Sequence, residues 1–326
     1  MIRSKVLGTG SYAPEMVLTN HDLEKMVDTA DQWIVERTGI RERRIADKDV
    51  ASSDLAFEAA KKALKAADMK ASQLELIIVA TVTPDMLFPA TACILQAKLG
   101  AKNAIAFDIS AACSGFIFAL ATADNFIKAG AYKNALVVGT ETLSKITDWT
   151  DRNTCVLFGD GAGAAIIGKS DNGSGIYSTH LHTNGKQGDL LFMPGGGSLH
   201  PASLHSIEER MHFIKMRGNE TFKIAVRALE EVVNEALECN GLKASDIDMV
   251  VPHQANLRII QATAKRLGIP MEKVVVTLDR YGNTSAASIP IALDEAVRDG
   301  RIGPGKNVIL EAFGGGLSWA SALIKW

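Results

Sequence analysis

Four short segments of the sequence carry groups that suit acyl transfer. They are residues 110–115 (SAACSG), 252–256 (PHQAN), 281–286 (YGNTSA) and 313–318 (FGGGLS). Each is placed at the end of a predicted strand, and in open α/β sheets sites form beyond the carboxyl ends of strands. Together the segments offer a thiol, an imidazole, a carboxamide and a run of backbone amides, a set that suits acyl transfer.

Cys113 is the predicted nucleophile. It lies where a strand gives way to a long apolar helix, with Ser114 and Gly115 opening that helix. Because a helix N-terminus favours negative charge, we expect this position to lower the pKa of the thiol. The remaining cysteines are interpreted as core residues, the commoner use of a lone cysteine: Cys93, Cys155 and Cys239.

Two further polar residues allow a structural and a functional interpretation. His253 ends the apolar stretch MVVP, where a histidine is as often a satisfied core residue as a reactive one. Asn283 precedes Thr-Ser-Ala and could simply cap the following helix, since asparagine is a good N-cap. Spacing alone therefore does not make Asn283 catalytic.

Metal, disulfide and phosphate-loop chemistry is disfavoured by the sequence. The four cysteines form no CxxC or CxH pair, and the best metal candidate, His180-x-His182, lacks a third ligand. The glycine run at residues 314–316 is not followed by a Walker lysine, and GDGAG at residues 159–163 does not fit a dinucleotide fingerprint. Close approach of backbone amides to a reacting carbonyl is the better use of the glycine run.

Composition excludes several broad classes. The chain has 326 residues, 47% of them hydrophobic, and its 35 basic and 37 acidic residues give a formal net charge of −2. Near-neutrality removes the simplest electrostatic case for nucleic acid or an anionic membrane as the principal partner, although a local basic patch can still exist. The N-terminal segment lacks a signal-peptide core, and no apolar run reaches 18 residues, so we expect a cytoplasmic protein.

An internal repeat predicts the architecture. Residues 63–78 (ALKAADMKASQLELII) align without gaps on residues 236–251 (ALECNGLKASDIDMVV) at an offset of 173. In the elements that follow, AIAFDISAACSGF resembles VVVTLDRYGNTSAAS as strand, small-residue loop and buried helix. Near-continuous apolar strands are typical of sheets covered on both faces. We therefore predict an α/β duplicated fold in five layers, α-β-α-β-α.

The repeat also predicts two similar halves. Residues 1–170 form the half that carries the nucleophilic cysteine, and residues 171–326 form the half that carries His253 and Asn283, with the boundary in KSDNGSG. A long excursion at residues 194–212 precedes the first long helix of the second half, near residues 221–239, and has no functional interpretation from sequence.

The assembled motifs resemble those of the β-ketoacyl-acyl-carrier-protein synthase III family. The resemblance runs from VLGTGSYAPE through GDGAGA to FGGGLSW, and HQANLRI, YGNTSAAS and SAACSGF are a specific combination. It implies the thiolase-type fold, usually as a homodimer, and decarboxylative condensation of an acyl-CoA primer, expected to be acetyl-CoA, with malonyl-acyl-carrier protein to initiate fatty-acid biosynthesis. No cofactor is expected, because both reactants are substrates.

The resemblance also implies residue roles. Cys113 is the nucleophile, His253 and Asn283 complete the catalytic set, the amides of Cys113 and Gly315 form the oxyanion hole, and Phe313 supports decarboxylation. Asparagine at position 283 argues against the elongating branch, which carries Cys-His-His, and a thiolase would need a second cysteine near the C-terminus. The other implied positions are Thr29, Trp33, Arg37, Arg152 and Asn256 for CoA, Phe88 for an acyl-pocket wall contributed across the dimer, and Lys223, Arg258, Lys265 and Arg266 for the acidic carrier protein.

Two alternatives remain open from the sequence. A synthase of secondary metabolism with the same fold would use larger acyl-CoAs. A non-catalytic acyl-binding or chain-length partner would share the fold without the reaction, although retention of all three polar groups disfavours it.

Overall fold

The computed structural model describes residues 3–326, and its strands lie on both sides of the predicted boundary. The strands are β1 (Ser4–Tyr12), β2 (Val17–Thr19), β3 (Glu42–Arg44), β4 (Leu76–Ala80), β5 (Ile105–Ile109), β6 (Asn134–Thr142), β7 (Asp160–Lys169), β8 (Gly175–Thr183), β9 (Leu191–Phe192), β10 (Lys215–Met216), β11 (Met249–Pro252), β12 (Asn307–Gly314) and β13 (Ser318–Lys325).

The α-helices lie between these strands along the chain. They are α1 (Asn20–Leu23), α2 (Asp31–Thr38), α3 (Ser52–Ala66), α4 (Thr91–Leu99), α5 (Gly115–Lys128), α6 (Arg152–Cys155), α7 (Leu204–Glu208), α8 (Gly218–Cys239), α9 (Leu257–Leu267), α10 (Leu278–Tyr281) and α11 (Ser288–Arg298).

Two sheets form the framework. The first has the order β1-β7-β6-β4-β5, and the second has the order β11-β12-β13-β8. Every strand of the first sheet comes from residues 4–169, and every strand of the second comes from residues 175–325. The parallel pairs are β4 with β5, β4 with β6 and β11 with β12, and the remaining pairs in these sheets are antiparallel.

The two sheets enclose a central helical layer, which confirms the predicted five layers. One buried cluster joins residues of α5 and α11, such as Phe116 and Ile289, to residues of both sheets, such as Val137 and Leu310. Helices α3 and α4 cover the outer face of the first sheet, and α8 and α9 cover the outer face of the second. The apolar strands are buried on both faces because helices lie on both sides of each sheet.

Both central helices start from an unusual backbone turn. A 3-10 turn at Ala112–Ser114 leads into α5, and a matching turn at Ser285–Ala287 leads into α11. Ala112 has φ of 44° and Ser285 has φ of 47°, a backbone conformation that residues other than glycine rarely adopt. The two turns are 173 residues apart, so the repeat brings equivalent helix starts together in the middle of the molecule.

One predicted strand is absent from the described chain. The sequence VVVT at residues 274–277 was expected to form a strand like β5, but it makes only a single bridge between Val274 and Val250. The side chain of Gln254 takes the place of a neighbouring strand, since its Nε2 donates to Val275 O at 3.0 Å and its Oε1 accepts from Thr277 N at 2.8 Å. Backbone groups of Val275 and Thr277 are therefore bonded without a ladder, and the prediction of a strand there is wrong.

Within residues 3–326, no helix is both long enough and apolar enough to cross a membrane.

Candidate active site

A cavity of about 520 Å³ lies between the two halves and receives side chains from both. Its buried lining includes Cys113, His253, Asn283 and Phe313. Exposed or half-buried residues line it as well: Trp33, Arg37, Lys223, Asn256 and Arg258. The cavity thus leads from the surface to a buried group of thiol, imidazole and carboxamide, and the structure brings together residues more than 160 positions apart in the chain.

Cys113 is held by the turn that opens α5. The end of β12 passes so close that a Cβ on Gly314 would lie 2.6 Å from the Cβ of Cys113, so only glycine fits there. Two hydrogen bonds tie the neighbouring backbone to the start of β13, from Ser114 Oγ to Ser318 O at 3.0 Å and from Ser318 Oγ to Ala111 O at 3.2 Å. The glycine loop and the cysteine turn therefore form one unit.

The acidity of the thiol differs from the sequence prediction. Burial raises the pKa of the Cys113 thiol to about 11, and the nearby Ser285 hydroxyl and the backbone N–H groups of Cys113 and Gly315 offset only part of that rise. The prediction of a lowered pKa is therefore wrong for the free protein, because burial disfavours the charged thiolate. The thiol is therefore protonated at neutral pH in the free protein.

His253 is a neutral imidazole with one nitrogen free. Burial lowers its pKa to about 3, so the ring carries no charge at pH 7. Its Nδ1 lies 2.6 Å from Ser288 Oγ, and that same oxygen accepts the backbone N–H of Gln254 at 3.3 Å. If the Ser288 hydroxyl donates to Nδ1, the ring proton lies on Nε2, the tautomer that the proposed role of His253 requires. His253 can then offer Nε2–H as a donor to the cavity.

Asn283 is oriented in the same way. Its Oδ1 accepts the backbone N–H of Ser285 at 2.9 Å, just before the 3-10 turn Ser285–Ala287. Thr284 holds the N-cap position of that turn, so the prediction that Asn283 caps the following helix is wrong. The backbone N–H of Asn283 donates to Leu157 O at 2.8 Å, and its carbonyl accepts from Gly159 N at 3.0 Å. Across residues 3–326 its Nδ2 has no hydrogen-bond partner, so the bond through Oδ1 leaves the amide N–H groups able to donate.

Sequence reasoning missed the residues that support these groups. Ser288 orients His253, and two buried carboxyl groups lie nearby in the fold, with burial raising the pKa of Glu141 to about 7 and that of Glu311 to about 8. The equivalent turns of the structure pair Ser285 with Ala112 and Ser288 with Gly115, whereas the sequence repeat aligns residue 104 with residue 274 in this region and marks neither serine. No local signal marks the two carboxyls.

At the exposed part of the cavity, the indole of Trp33 contacts two guanidinium groups. The Arg37 guanidinium lies 5.0 Å and that of Arg152 4.8 Å from the ring centroid of Trp33. Asn256 caps α9 by accepting from Arg258 N at 2.8 Å and donates through Nδ2 to Arg37 O at 3.0 Å. These predicted residues are therefore brought together. Arg152 lies outside the cavity lining itself, although it contacts Trp33.

Other predicted positions lie away from the cavity lining. Phe88 is 84% exposed on this chain, and the Thr29 hydroxyl is buried without a hydrogen-bond partner in the described chain. Lys265 and Arg266 are exposed at the end of α9, where Arg266 pairs with Glu230. The proposed roles of these residues remain predictions.

The histidine pair that was considered for a metal is engaged elsewhere. Both rings contact the carboxylate of Glu235, His180 through Nδ1 at 3.2 Å and His182 through Nε2 at 2.6 Å. In the part of the chain that the structure describes, no group of three or more His, Cys, Asp or Glu side chains is arranged to hold a metal ion.

Comparison with known proteins identifies relatives along the whole chain. The family described as 3-oxoacyl-[acyl-carrier-protein (ACP)] synthase III matches residues 107–185, and its C-terminal counterpart matches residues 237–326. A β-ketoacyl-[acyl-carrier-protein] synthase III of Caldanaerobacter subterraneus subsp. tengcongensis is 59% identical over 325 residues, covering 100% of this chain and 98% of the relative.

Solved structures agree with this. The crystal structure of 3-oxoacyl-[acyl-carrier-protein] synthase III from Aquifex aeolicus VF5 has a TM-score of 0.92 at 51% identity, covering 99% of this chain and 100% of that one. The priming β-ketosynthase of the R1128 polyketide biosynthetic pathway is more distant, with a TM-score of 0.91 at 38% identity over 98% of this chain and 96% of that one.

The duplicated α/β fold and its similarity to these relatives define the class of the protein, the condensing acyltransferases of thiolase-type fold. The protein is an enzyme of that class. Within it, the chain belongs to the β-ketoacyl-[acyl-carrier-protein] synthase III family.

Proposed function

We propose that the protein condenses an acyl-CoA primer, in the first place acetyl-CoA, with malonyl-acyl-carrier protein to give a β-ketoacyl-carrier protein, CoA and carbon dioxide, the initiating step of fatty-acid biosynthesis. One observation carries the proposal: a single cavity joins the Cys113 thiol, the free Nε2 of neutral His253 and the free Nδ2 of Asn283. The names of the curated relatives, which include a carrier protein, support the second substrate.

In the first half-reaction, Cys113 receives the acyl group. Its sulfur attacks the thioester carbonyl of acyl-CoA, the bond from carbon to the CoA sulfur breaks, and the thiol proton ends on the departing CoA. Backbone N–H groups of Cys113 and Gly315 stabilise the tetrahedral oxyanion. Loss of one such donor typically raises the barrier by about 3 kcal/mol. Because the thiol has a raised pKa, its proton must leave as the carbon–sulfur bond forms.

In the second half-reaction, His253 and Asn283 hold the carbonyl oxygen of the malonyl thioester. Their two N–H groups stabilise the enolate that forms as the bond to the carboxylate breaks and carbon dioxide leaves. The enolate carbon attacks the acyl carbonyl on Cys113, and the thiolate departs. Phe313, buried at the cavity wall, excludes water from the malonyl carboxylate and so favours its loss. Decarboxylation itself supplies the carbanion.

The exposed part of the cavity is proposed to bind the nucleotide end of CoA. Adenine stacks between Trp33 and Arg152, with Arg37 and Thr29 beside them, and Asn256 contacts the pantetheine arm. The clustering of both guanidinium groups on one indole supports this assignment, since Trp and Arg faces stack well on a planar base.

The carrier protein is proposed to dock at the cavity mouth. Carrier protein is acidic, and exposed Lys223 and Arg258 line the cavity, with Arg258 resting 5.6 Å from the ring centroid of Phe222. Lys265 and Arg266 would extend the basic surface along α9. Opposite charge at such a surface mainly speeds encounter and selects the partner.

Two organisational predictions are retained as proposals. The halves 1–170 and 171–326 are the structural units, which is supported by the fact that each sheet draws its strands from one of them. The enzyme works as a homodimer in which Phe88 of one copy closes the acyl pocket of the other, and the exposure of Phe88 and neighbouring Leu87 supports a partner there.

A second candidate function is a priming synthase of secondary metabolism that accepts larger acyl-CoAs. The likeness to a priming β-ketosynthase of a polyketide pathway favours it. Both candidates use the same three catalytic residues and differ in the primer.

Initial rates of condensation separate the two candidates. The assay uses acetyl-CoA and a series of longer acyl-CoAs, each with malonyl-carrier protein and with malonyl-CoA as the extender. We expect acetyl-CoA with malonyl-carrier protein to give the highest kcat/KM. A higher kcat/KM for long primers would support the second candidate, and the absence of any condensed product would refute both.

A further inference from the structure

The excursion, defined here as residues 194–212, contacts the segment that carries Arg152. We call residues 146–152 the gate loop, because Arg152 at its end stacks on Trp33. Arg210 of the excursion bonds to Asp148 of the gate loop through two nitrogens, Nε to Oδ2 at 3.0 Å and Nη2 to Oδ1. The same Nη2 donates to Thr150 Oγ1 at 2.9 Å.

Asp148 is the centre of the gate loop. Its side chain is only 6% exposed, and it also accepts from the backbone N–H of Thr150 at 3.0 Å and from the Thr150 hydroxyl at 2.7 Å. The Arg210 guanidinium holds the pKa of Asp148 well below its usual range. Removing Arg210 would leave a buried carboxylate without its cation, which is costly, so the loop would rearrange.

The excursion is built to present Arg210. Arg210 itself has φ of 54°, and the backbone on either side is closed by hydrogen bonds from Met211 N to Ser206 O at 2.9 Å and from Gly195 N to Met211 O at 2.8 Å. A further bond from Ile214 N to Ile146 O at 2.9 Å joins the chain two residues after the excursion to the start of the gate loop. These bonds fix the backbone from which the Arg210 side chain extends to Asp148.

The position of the gate loop matters for nucleotide binding. The Arg152 guanidinium lies 4.8 Å from the centroid of the Trp33 ring, so the two groups are in contact. A planar base between them needs about 3.5 Å on each side. Arg152 must therefore move away from the indole, while the loop behind it stays close enough for the guanidinium to stack on the other face of the base.

We propose that Arg210 is a positioning residue for the nucleotide end of acyl-CoA, acting by fixing the gate loop through Asp148. The inference rests on the proposed binding of adenine between Trp33 and Arg152. It assigns a role to the excursion: the segment sets affinity for substrates that carry the nucleotide and has no effect on those that lack it. A pantetheine thioester reaches Cys113 without touching the gate loop, and so does the arm of the carrier protein.

The test compares acetyl-CoA with acetyl-pantetheine as donors in the acylation of Cys113. For Arg210→Gln we expect KM for acetyl-CoA to rise about fivefold to tenfold with kcat nearly unchanged, and the kinetics with acetyl-pantetheine to match wild type. Arg210→Lys keeps the charge but cannot bond to Asp148 through two nitrogens, so KM for acetyl-CoA should rise less than in Arg210→Gln. Arg227→Gln, which removes an exposed Arg–Glu pair on α8, is the matched control and should leave the kinetics with both donors unchanged.

An equal rise in KM for both donors, or no rise in KM for acetyl-CoA, would overturn the role of Arg210. If Arg210→Gln does not fold, Thr150→Val removes the second partner of Asp148 and should raise KM for acetyl-CoA in the same direction, less steeply. Trp33→Leu tests the premise, since unchanged discrimination between the donors in that variant would refute the adenine site and the inference with it. Failure of the proposed function differs from all of these, because wild type would then not be acylated by either donor.

Discussion

His253 and Asn283 each offer one nitrogen to the cavity because the other polar atom of the side chain is already bonded within the protein. Ser288 lies 2.6 Å from His253 Nδ1, and the Ser285 amide donates to Asn283 Oδ1 at 2.9 Å. Burial keeps the imidazole neutral by lowering its pKa to about 3. The pair is therefore preorganised as two donors for one oxygen, which suits enolate stabilisation better than proton removal from Cys113.

Replacing Ser288 tests this orientation. In Ser288→Ala the imidazole loses the partner that fixes its tautomer, so we expect condensation with malonyl-carrier protein to slow by about tenfold, below the cost of losing a direct donor. Acylation of Cys113 by acyl-CoA should stay within about twofold of wild type, because that step uses backbone donors. Stopped-flow acylation and steady-state condensation rates measure the two steps.

Ser321→Ala is the matched control for Ser288→Ala. Ser321 is also buried and donates one hydrogen bond, to Val232 O at 2.8 Å, but it lies outside the cavity lining. It should leave both rates unchanged. A slower acylation in Ser288→Ala, equal to its slower condensation, would contradict a role limited to His253.

At the scale of single elements, β12 combines a structural and a catalytic role. The strand delivers Phe313 and the glycine loop to the cavity, and its Glu311 carbonyl accepts the backbone N–H of His253 at 2.7 Å. The Glu311 side chain is buried with Oε2 unbonded in the described chain, and burial raises its pKa to about 8. The strand therefore carries a carboxyl that is neutral at pH 7.

Glu311 should make the stability of the protein fall as pH rises. Its pKa is about 8 in the folded state against an ordinary value of 4.5. Between these values the folded state binds more protons than the unfolded state, so its stabilising contribution is complete below pH 4.5 and is lost as pH rises through 8. Glu311→Gln should remove that loss. The difference in free energy of unfolding between the variant and wild type should therefore shift in favour of the variant by about 1 to 3 kcal/mol from pH 5 to pH 9.

Urea unfolding at both pH values measures the effect. The comparison of variant with wild type cancels the opposite contribution of His253, whose lowered pKa makes stability rise with pH between about 3 and 6.5. The same change of stability with pH in Glu311→Gln and in wild type would show that Glu311 is ionised in the folded protein.

At the scale of the whole molecule, glycines mark the places where the two halves approach each other. A Cβ on Gly139 would lie 2.1 Å from Ala286 O, one on Gly159 would lie 2.3 Å from Tyr281 O, and one on Gly163 would lie 2.6 Å from Ile291 N. Each contact joins a strand or loop of the first half to the segment of the second half that holds Asn283 and α11. The glycine content of the sequence thus serves the junction that shapes the cavity.

Gly139→Ala should destabilise the protein by about 2 kcal/mol or more, because the added methyl group meets a backbone carbonyl that cannot turn away. Gly303→Ala is the matched control, since no heavy atom lies within 4 Å of its Cβ position and its backbone is not left-handed. The control should stay within about 0.5 kcal/mol of wild type. Equal unfolding midpoints for the two variants in denaturant would contradict this account of the junction.

The sequence predicts those parts of the molecule that local patterns encode. Cys113, His253 and the glycine loop follow apolar strands, and the repeat reveals the layered architecture. Long-range effects escape such patterns: Ser288 orients a histidine 35 positions away, and burial reverses the expected acidity of Cys113. The side chain of Gln254 replaces an expected strand at residues 274–277, which no periodicity could show.

Transfer of the acyl group to Cys113 is the central claim, and mass spectrometry after incubation with acetyl-CoA tests it most directly. We predict one added acetyl group per chain, mapped to the peptide containing Cys113, and its loss together with condensation activity in Cys113→Ala. Cys93 and Cys239 are exposed, so the prediction that they are core residues is wrong. Cys93→Ala, which removes an exposed thiol, should still be acylated at Cys113. Acetyl groups found instead on Cys93 or Cys239, or undiminished condensation by Cys113→Ala, would contradict the account.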